Sequence, residues 1–497
     1  MAHEAYKQLS DETLNEIFQS VDFVTKPMHH QKATWAWAVD GSGRVMIWHD
    51  IGTGKSYCAL GLADLWRCKH VLIVCPNSLV RKRGWLDQIR QHATGTATVL
   101  CGTKSQRVAL QQTDSRFHII NYEGLKVLWG RKVEERVDGR AKGKWVPDPV
   151  AVAKTNYDLL IVDESHHIGQ PDSLQTRIVF GLARATPLGI EMTGTPIGKD
   201  EQDLWAQYYA LDFGETLGTN FFGFRNRYFH KINLGRGRVK WVVRKGAREE
   251  ILERITPLTM RYEASECVDL PKRIDQCHEL EMSARQRSVY NNILEGLVAE
   301  FNEGRLTPKT IESASVDLYR ACSGFGRNDA DQLTEIPGQN PKIEQAREIL
   351  RATAMFGQKV LICHNFIYEG RMLETLCRRM GLKFSAMRGE VVDKEGQYEK
   401  FIQPEGNTNV LIFHPQSAGE GLNLQIANHL IFFSFAFLGT IMRQQVIGRI
   451  VRAGQTKTCT IHDLLVVDSV EEYRYENLQV DVALSTLLLD YIRGAAA

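Results

Sequence analysis

Val45-Met46-Ile47-Trp48-His49-Asp50-Ile51-Gly52-Thr53-Gly54-Lys55-Ser56, continuing into Tyr57-Cys58-Ala59-Leu60, reads as a strand, a glycine loop and the first turn of a helix. The apolar, partly β-branched run stops where the glycines begin, and good helix formers resume after the Lys-Ser pair. Such a loop wraps phosphates with the backbone N–H groups of Gly52, Thr53 and Gly54 at a helix N-terminus. Lys55 then reaches the β- and γ-phosphate oxygens and the Ser56 hydroxyl meets Mg2+. His49 stands where the strict Gly-x-x-x-x-Gly-Lys pattern has its first glycine.

Downstream, Leu159-Leu160-Ile161-Val162 delivers Asp163-Glu164-Ser165-His166 to a strand end. Alone, two carboxylates there read as a helix cap. After a phosphate loop in the same α/β layer they read as the other half of an ATP site, with Asp163 as the Mg2+ partner and Glu164 as the general base. Glu191-Met192-Thr193-Gly194-Thr195-Pro196 is a tight turn after a strand, whose hydroxyls gain meaning from the two preceding elements.

At 497 residues the chain exceeds one ordinary hydrophobic core, which implies two or more globular units. Lys and Arg total 61 against 59 Asp and Glu, so attraction to a polyanion must come from local patches. The ten cysteines stand singly without metal-ligand spacing, as expected of reduced thiols in a cytoplasmic setting. Met1 to Ser20 lacks the pattern of a signal peptide, and the most apolar run, Leu430 to Gly439, is too short to span a bilayer, so no membrane role is expected.

The fold class expected is α/β, with two parallel-sheet lobes. Strands are predicted at Val45–His49, His70–Cys75, Phe117–Tyr122, Asp158–Asp163 and Ile190–Thr193 in the first lobe. In the second they are predicted at Lys359–Cys363, Phe384–Met387, Val410–Phe413, His429–Phe433 and Thr458–Leu465. The domains expected are an N-terminal helical extension (1–20), lobe one (21–212), a mostly helical insertion (213–340), lobe two (341–480) and a tail (481–497). Arg131 to Asp148 reads as an exposed loop or hairpin.

The set resembles superfamily-two helicases and translocases, and within them the Swi/Snf-type ATPase motors, across nearly the whole chain. That resemblance implies two RecA-like lobes of the P-loop NTPase class, with ATP and Mg2+ as cofactors. Lys26-Pro27-Met28-His29-His30-Gln31, with Trp35 after it, is similar to the adenine-contacting motif and gives Gln31 that role. Val71 to Leu79 is similar to motif Ia and Ile119 to Glu123 to motif Ib, which places Asn77, Ser78, Asn121 and Tyr122 on a sugar-phosphate track. Ser417-Ala418-Gly419-Glu420-Gly421-Leu422-Asn423-Leu424-Gln425 resembles motif V, which gives Gly421 to the nucleotide and Ser417 and Asn423 to nucleic acid. Gln445 to Gln455 resembles motif VI, in which Arg449 and Arg452, three apart on one helical face, serve the ATP; Arg452 is the first choice for an arginine finger.

From Thr216 to Arg248 runs a basic stripe without Asp or Glu, interleaved with aromatics. It reads either as a duplex-holding surface centred on Arg236 and Arg238 or as a solvated hairpin with its aromatics turned inward. The function expected is ATP-driven translocation on double-stranded DNA, with single-stranded DNA or RNA as other tracks and protein partners for targeting. The alternatives are true unwinding or branch migration, and a non-catalytic DNA clamp.

Overall fold

The computed structural model describes residues 2–477 apart from 82–83, 138–139, 195–196, 198–200, 234–238, 268–269, 304–307, 329, 405, 419–421 and 453. The chain divides into two units, Met1–Val268 and Asp269–Ala497. The expected tail, 481–497, lies outside the described residues.

In the first unit the strands are β1 (Arg44–Ile47), β2 (Val71–Cys75), β3 (Ala97–Val99), β4 (Phe117–Asn121), β5 (Gly130–Val137), β6 (Arg140–Pro147), β7 (Leu159–Asp163), β8 (Leu188–Met192), β9 (Phe229–Asn233), β10 (Val239–Val243) and β11 (Thr259–Met260). Seven of them form a sheet in the order β11-β1-β8-β7-β2-β4-β3, and every pairing is parallel. Strands buried on both faces need apolar residues at every position, and β2 and β7 are buried throughout. Val71, Ile73, Leu159 and Ile161 enter the core on one face, and Leu72, Val74, Leu160 and Val162 the core on the other.

In the second unit the strands are β12 (Arg273–Leu280), β13 (Phe325–Arg327), β14 (Leu333–Glu335), β15 (Val360–Cys363), β16 (Lys383–Met387), β17 (Thr408–Phe413), β18 (His429–Phe432) and β19 (Cys459–Val466). The main sheet runs β12-β19-β18-β15-β17-β16, again wholly parallel. Leu361 and Cys363 pack into one core, Val360 and Ile362 into the other. The two-lobed α/β class expected from the sequence is borne out, with each predicted strand present to within two residues.

The region read as one helical insertion is differently built. Within 213–340, β11 joins the first sheet beside β1, and β12 pairs over eight residues with β19 in the second. The chain therefore passes from one unit to the other at 268/269, inside that region. Both strands escape an apolar-run reading for physical reasons: β11 has two residues, and β12 is an exposed edge strand with the polar sequence Arg-Ile-Asp-Gln-Cys-His-Glu-Leu. Helices do occupy much of the rest, including Ala284–Asn302 and Pro308–Cys322. The segment read as an exposed loop or hairpin forms the antiparallel pair β5–β6.

Candidate active site

Parallel strands place every loop that follows them at one edge of the sheet, and the first unit's candidate residues gather at that edge. The glycine loop follows β1, the acidic pair ends β7, and Thr193 follows β8, which lies between those two strands. Gly52 and Gly54 have φ of 88° and 82°, left-handed values that glycine adopts without a Cβ penalty. Gly54 is the N-cap of the helix Lys55–Leu65, so the first N–H groups of that helix face the loop without intrahelical acceptors.

His49 does not take a positive φ, so its backbone makes no demand for glycine. Its imidazole is fully buried, with Nε2 3.0 Å from Thr34 Oγ1, and burial holds it well below its ordinary pKa, in the neutral form. The departure from the strict motif thus falls on a packing position beneath the loop. Lys55 Nζ donates to the carbonyls of His49 (2.9 Å) and Asp50 (3.0 Å), which hold the ammonium over the loop. Burial lowers its pKa, opposed by Glu164, Asp163 and Asp50. Thr53 Oγ1 donates to Asp50 O at 2.8 Å, and its own carbonyl lies 2.8 Å from His30 Nε2.

Gln31 is buried, and its Oε1 accepts from Met28 N–H at 2.9 Å. Its Nε2 approaches the loop so closely that a Cβ on Gly54 would lie 2.7 Å away, and one on Gly194 would lie 3.2 Å from Lys55 Nζ. Glycines therefore keep open the space among Gln31, the loop and the Thr193 turn. With helix N–H groups that lack intrahelical acceptors and the Lys55 ammonium beside it, and with Ser56 second in that helix, the space fits a nucleoside triphosphate with its cation. Trp35 serves packing: its ring covers Gly61 and its Nε1 donates to Cys58 O at 2.8 Å, locking the helix His29–Val39 to the phosphate-loop helix.

Asp163 is 5% exposed, and burial together with the neighbouring Glu164 charge pushes its carboxyl up to about 7, against the Trp85 hydrogen bond and the Lys55 charge. The indole of Trp85 donates to Asp163 Oδ2 at 2.9 Å. Glu164 takes φ 52° and ψ 54°, left-handed values rare for a side-chain-bearing residue, and caps the 3-10 turn Ser165–Ile168. Thr193 Oγ1 donates to Glu164 Oε2 at 3.2 Å, and His166 Nδ1 lies 3.4 Å from the same oxygen. The carboxylate is thus fixed by the turn after β8. Thr195 and Pro196 lie outside the described residues.

Tyr122 is a correction. Expected on a nucleic-acid track, it is 3% exposed, and its hydroxyl donates to the carbonyls of Asp163 (2.7 Å) and Glu164 (3.3 Å). It opens the helix Tyr122–Trp129 with its ring turned inward, where it positions the acidic pair. Asn77 and Asn121 do come together, at 3.3 Å, and Ser78 lies in the helix Asn77–Arg81. Sequence reasoning missed the roles of Trp85 and Tyr122 because no spacing rule links positions 85, 122 and 163.

In the basic stripe, Arg225 lies over Trp241 (4.2 Å), Phe222 (5.1 Å) and Phe221 (5.3 Å). Arg227 pairs with Glu250 at 2.6 Å, Arg248 pairs with Glu201, and Arg244 donates to the Phe229 and Asn226 carbonyls. Phe224, Tyr228 and Phe229 are buried. Much of the stripe's charge is satisfied internally, as in the inward-turned reading, while Arg236 and Arg238 lie outside the described residues.

In the second unit, the helix Thr440–Ile447 stops at Gly448, so Arg449 and Arg452 sit on the tight turns that follow rather than on one helical face. Arg449 N–H bonds to Val446 O and Ile450 N–H to Ile447 O, the i to i−3 pattern of a helix tightening at its end. Burial lowers the Arg452 pKa against the nearby Tyr398, whose hydroxyl donates to Asn423 O at 3.0 Å. Asn423 is exposed between buried Leu422 and Leu424, and its Oδ1 accepts from Gln425 N–H. Ser417 lies in the short helix Pro415–Ala418, while Gly421 lies outside the described residues. Gln455 ties the region together: its Nε2 donates to Gln425 O (2.7 Å) and Ala427 O (2.9 Å), and its Oε1 accepts from Lys457 N–H (3.0 Å).

Among the described residues no group of three or more His, Cys, Asp or Glu side chains forms a metal cluster, and no helix is long and apolar enough to cross a membrane. The SNF2-related domain matches residues 9–323 and the helicase conserved C-terminal domain residues 341–454. Protein p41 of Acyrthosiphon pisum secondary endosymbiont phage 1 is 22% identical over 90% of this chain and 95% of its own length. The DNA repair and recombination protein RAD54-like of Gallus gallus is 22% identical over 94% of this chain and 68% of its own length. The chain is also similar to the Sulfolobus solfataricus SWI2/SNF2 ATPase core solved in complex with dsDNA, at 19% identity and TM-score 0.41, over 95% of this chain and 94% of that one. With both family matches falling on the lobes that carry Lys55, Asp163, Glu164, Arg449 and Arg452, this chain belongs to the SNF2-related family, as an ATP-hydrolysing motor.

Proposed function

We propose that this chain couples ATP hydrolysis to translocation on double-stranded DNA. The observation that carries the reading is the arrangement at one sheet edge: Lys55 over the glycine loop, and Glu164 fixed by Thr193, in a chain that also matches the helicase C-terminal domain. When bound, ATP supplies the phosphoanhydride and Mg2+ screens its β/γ charge. Gly52, Thr53, Gly54 and Lys55 would bind the phosphates, Ser56 and Asp163 would hold the metal, and Gln31 would read the adenine edge. Glu164, oriented by Thr193, would take the proton of the attacking water, and Arg452, Arg449 and Gly421 are the second unit's candidates for serving the ATP. Asn77, Ser78, Asn121, Ser417 and Asn423 grip the sugar-phosphate backbone, with Arg236 and Arg238 adding charge. The DNA repair role in the name of the RAD54-like relative supports DNA as the track, and free cysteines suit a cytoplasmic site of action.

ATPase activity measured in parallel with no nucleic acid, single-stranded DNA, duplex DNA and RNA tests the reading. Duplex DNA is expected to stimulate most strongly. Lys55→Ala, Glu164→Gln and Arg452→Ala are each expected to lose at least ~100-fold in turnover, with Glu164→Gln still binding ATP. Equal activity with and without every nucleic acid overturns the translocase.

A further inference from the structure

We propose that a groove at the base of the β5–β6 hairpin holds an unpaired nucleotide of the DNA, its base on Trp145 and its phosphates on the surrounding cations. The proposal rests on the reading of this chain as a DNA motor and deepens it, because it makes duplex bearing an unpaired strand the preferred substrate.

The groove, about 500 Å³ in volume, is lined by Lys104, Lys126, Arg131 and Lys132 together with Val127 and Trp145, and among the described residues no carboxylate lines it. Trp145 is 40% exposed, an unusual cost for an indole on a hairpin strand. Lys126 Nζ sits 4.7 Å from its ring centroid. Lys132 is directly opposite Trp145 in the β5–β6 register, so the two share a face. Its stem runs over Gly143, where a Cβ would lie 2.3 Å from Lys132 Cε, so this glycine leaves room for the cation to lie along the hairpin. The nearby acids are engaged elsewhere or further out. Glu135 pairs with Lys144 at 3.1 Å, Glu123 accepts from Asn121 Nδ2 at 2.8 Å, and Glu134 is exposed nearer the hairpin tip.

A half-exposed indole with Lys126 over its ring and Lys104 and Lys132 beside the same groove matches a nucleotide twice over, through base stacking and through phosphate charge. Base pairs in a duplex are already stacked on their neighbours, so only an unpaired base can take the indole. An acidic peptide matches the charge alone. The groove also adjoins the proposed track, because the helix Tyr122–Trp129 begins after Asn121 and carries Lys126 and Val127 near its other end.

Fluorescence anisotropy of the full chain with a short oligo(dT), and separately with blunt duplex, tests this site. Trp145→Ala is expected to weaken oligo(dT) binding roughly tenfold, Trp145→Phe to retain most of it, and the double variant Lys104→Glu with Lys132→Glu to weaken it and flatten its salt dependence. Blunt-duplex binding and basal ATPase are expected to stay at the wild-type level in all three. Wild-type oligo(dT) affinity in Trp145→Ala overturns the proposal, as does poly(glutamate) displacing oligo(dT) equally well from wild type and Trp145→Ala. Absence of duplex-stimulated ATPase in wild type refutes the translocase reading by itself, whereas the dependence of oligo(dT) binding on Trp145 is read without ATP.

Discussion

Asp163 and Glu164 are adjacent carboxylates with different surroundings. Asp163 is buried against the Trp85 indole, and its carboxyl is pushed up to about 7, while Glu164 is turned by its left-handed backbone toward Thr193 and His166. The folded chain therefore holds a proton on Asp163 that an unfolded chain, at the ordinary value of 3.8, releases earlier. The group's contribution to stability is largest in acid, falls as pH climbs from about 4 to about 7, and is a constant deficit above that. Asp163→Asn keeps an acceptor for Trp85 and removes the ionisation. In chelator, its Tm relative to wild type is expected to rise across that pH interval while its ATPase is lost, and thermal melts over a pH series measure this. A difference independent of pH means that the buried carboxyl is not the titrating group.

Among the elements, those that turn the chain after each strand do the positioning. The phosphate loop, the 3-10 turn after β7 and the turn after β8 share one edge because their strands are parallel neighbours. In the second unit the motif VI helix ends at Gly448, and Gln455 takes over, joining the arginine turns to the segment that follows Asn423. Gln455→Ala leaves the buried Ala427 carbonyl, the half-buried Gln425 carbonyl and the Lys457 N–H without this partner. It is expected to cost about 1–3 kcal/mol in urea unfolding. Turnover is expected to fall as well, although the side chain touches no nucleotide, because the turns carrying Arg449 and Arg452 lose their anchor. Wild-type stability and turnover together show that another contact holds the loop.

For the whole molecule, the division at 268/269 separates two sheets, and among the described residues each hydrophobic core cluster is drawn from one unit. A fragment spanning 1–268 is expected to unfold cooperatively in urea and to bind ATP through its glycine loop. It is expected to turn ATP over at least ~100-fold more slowly than the full chain, since Arg449 and Arg452 are absent from it. Far-UV circular dichroism with urea, and a fluorescent ATP analogue, measure both. A fragment that fails to fold shows that the first unit depends on the second.

The sequence by itself determined the α/β class and the positions of the buried strands, and it picked out the residues proposed for the nucleotide site. Buried parallel strands must be continuous apolar runs, and phosphate chemistry needs glycine, lysine and carboxylate in set local orders. It did not reveal β11 or β12, since a two-residue strand and an exposed edge strand carry no apolar signature. Only the tertiary structure decided that Trp85 holds Asp163, that Tyr122 turns inward beneath the acidic pair, that His49 is a packing residue and that Trp145 faces a cationic groove. Those roles depend on contacts between residues tens of positions apart or on which side of a hairpin a ring projects. Local periodicity encodes which face of its own element a residue occupies, while the neighbour on the other side of that face is set by how the strands are ordered in the sheet.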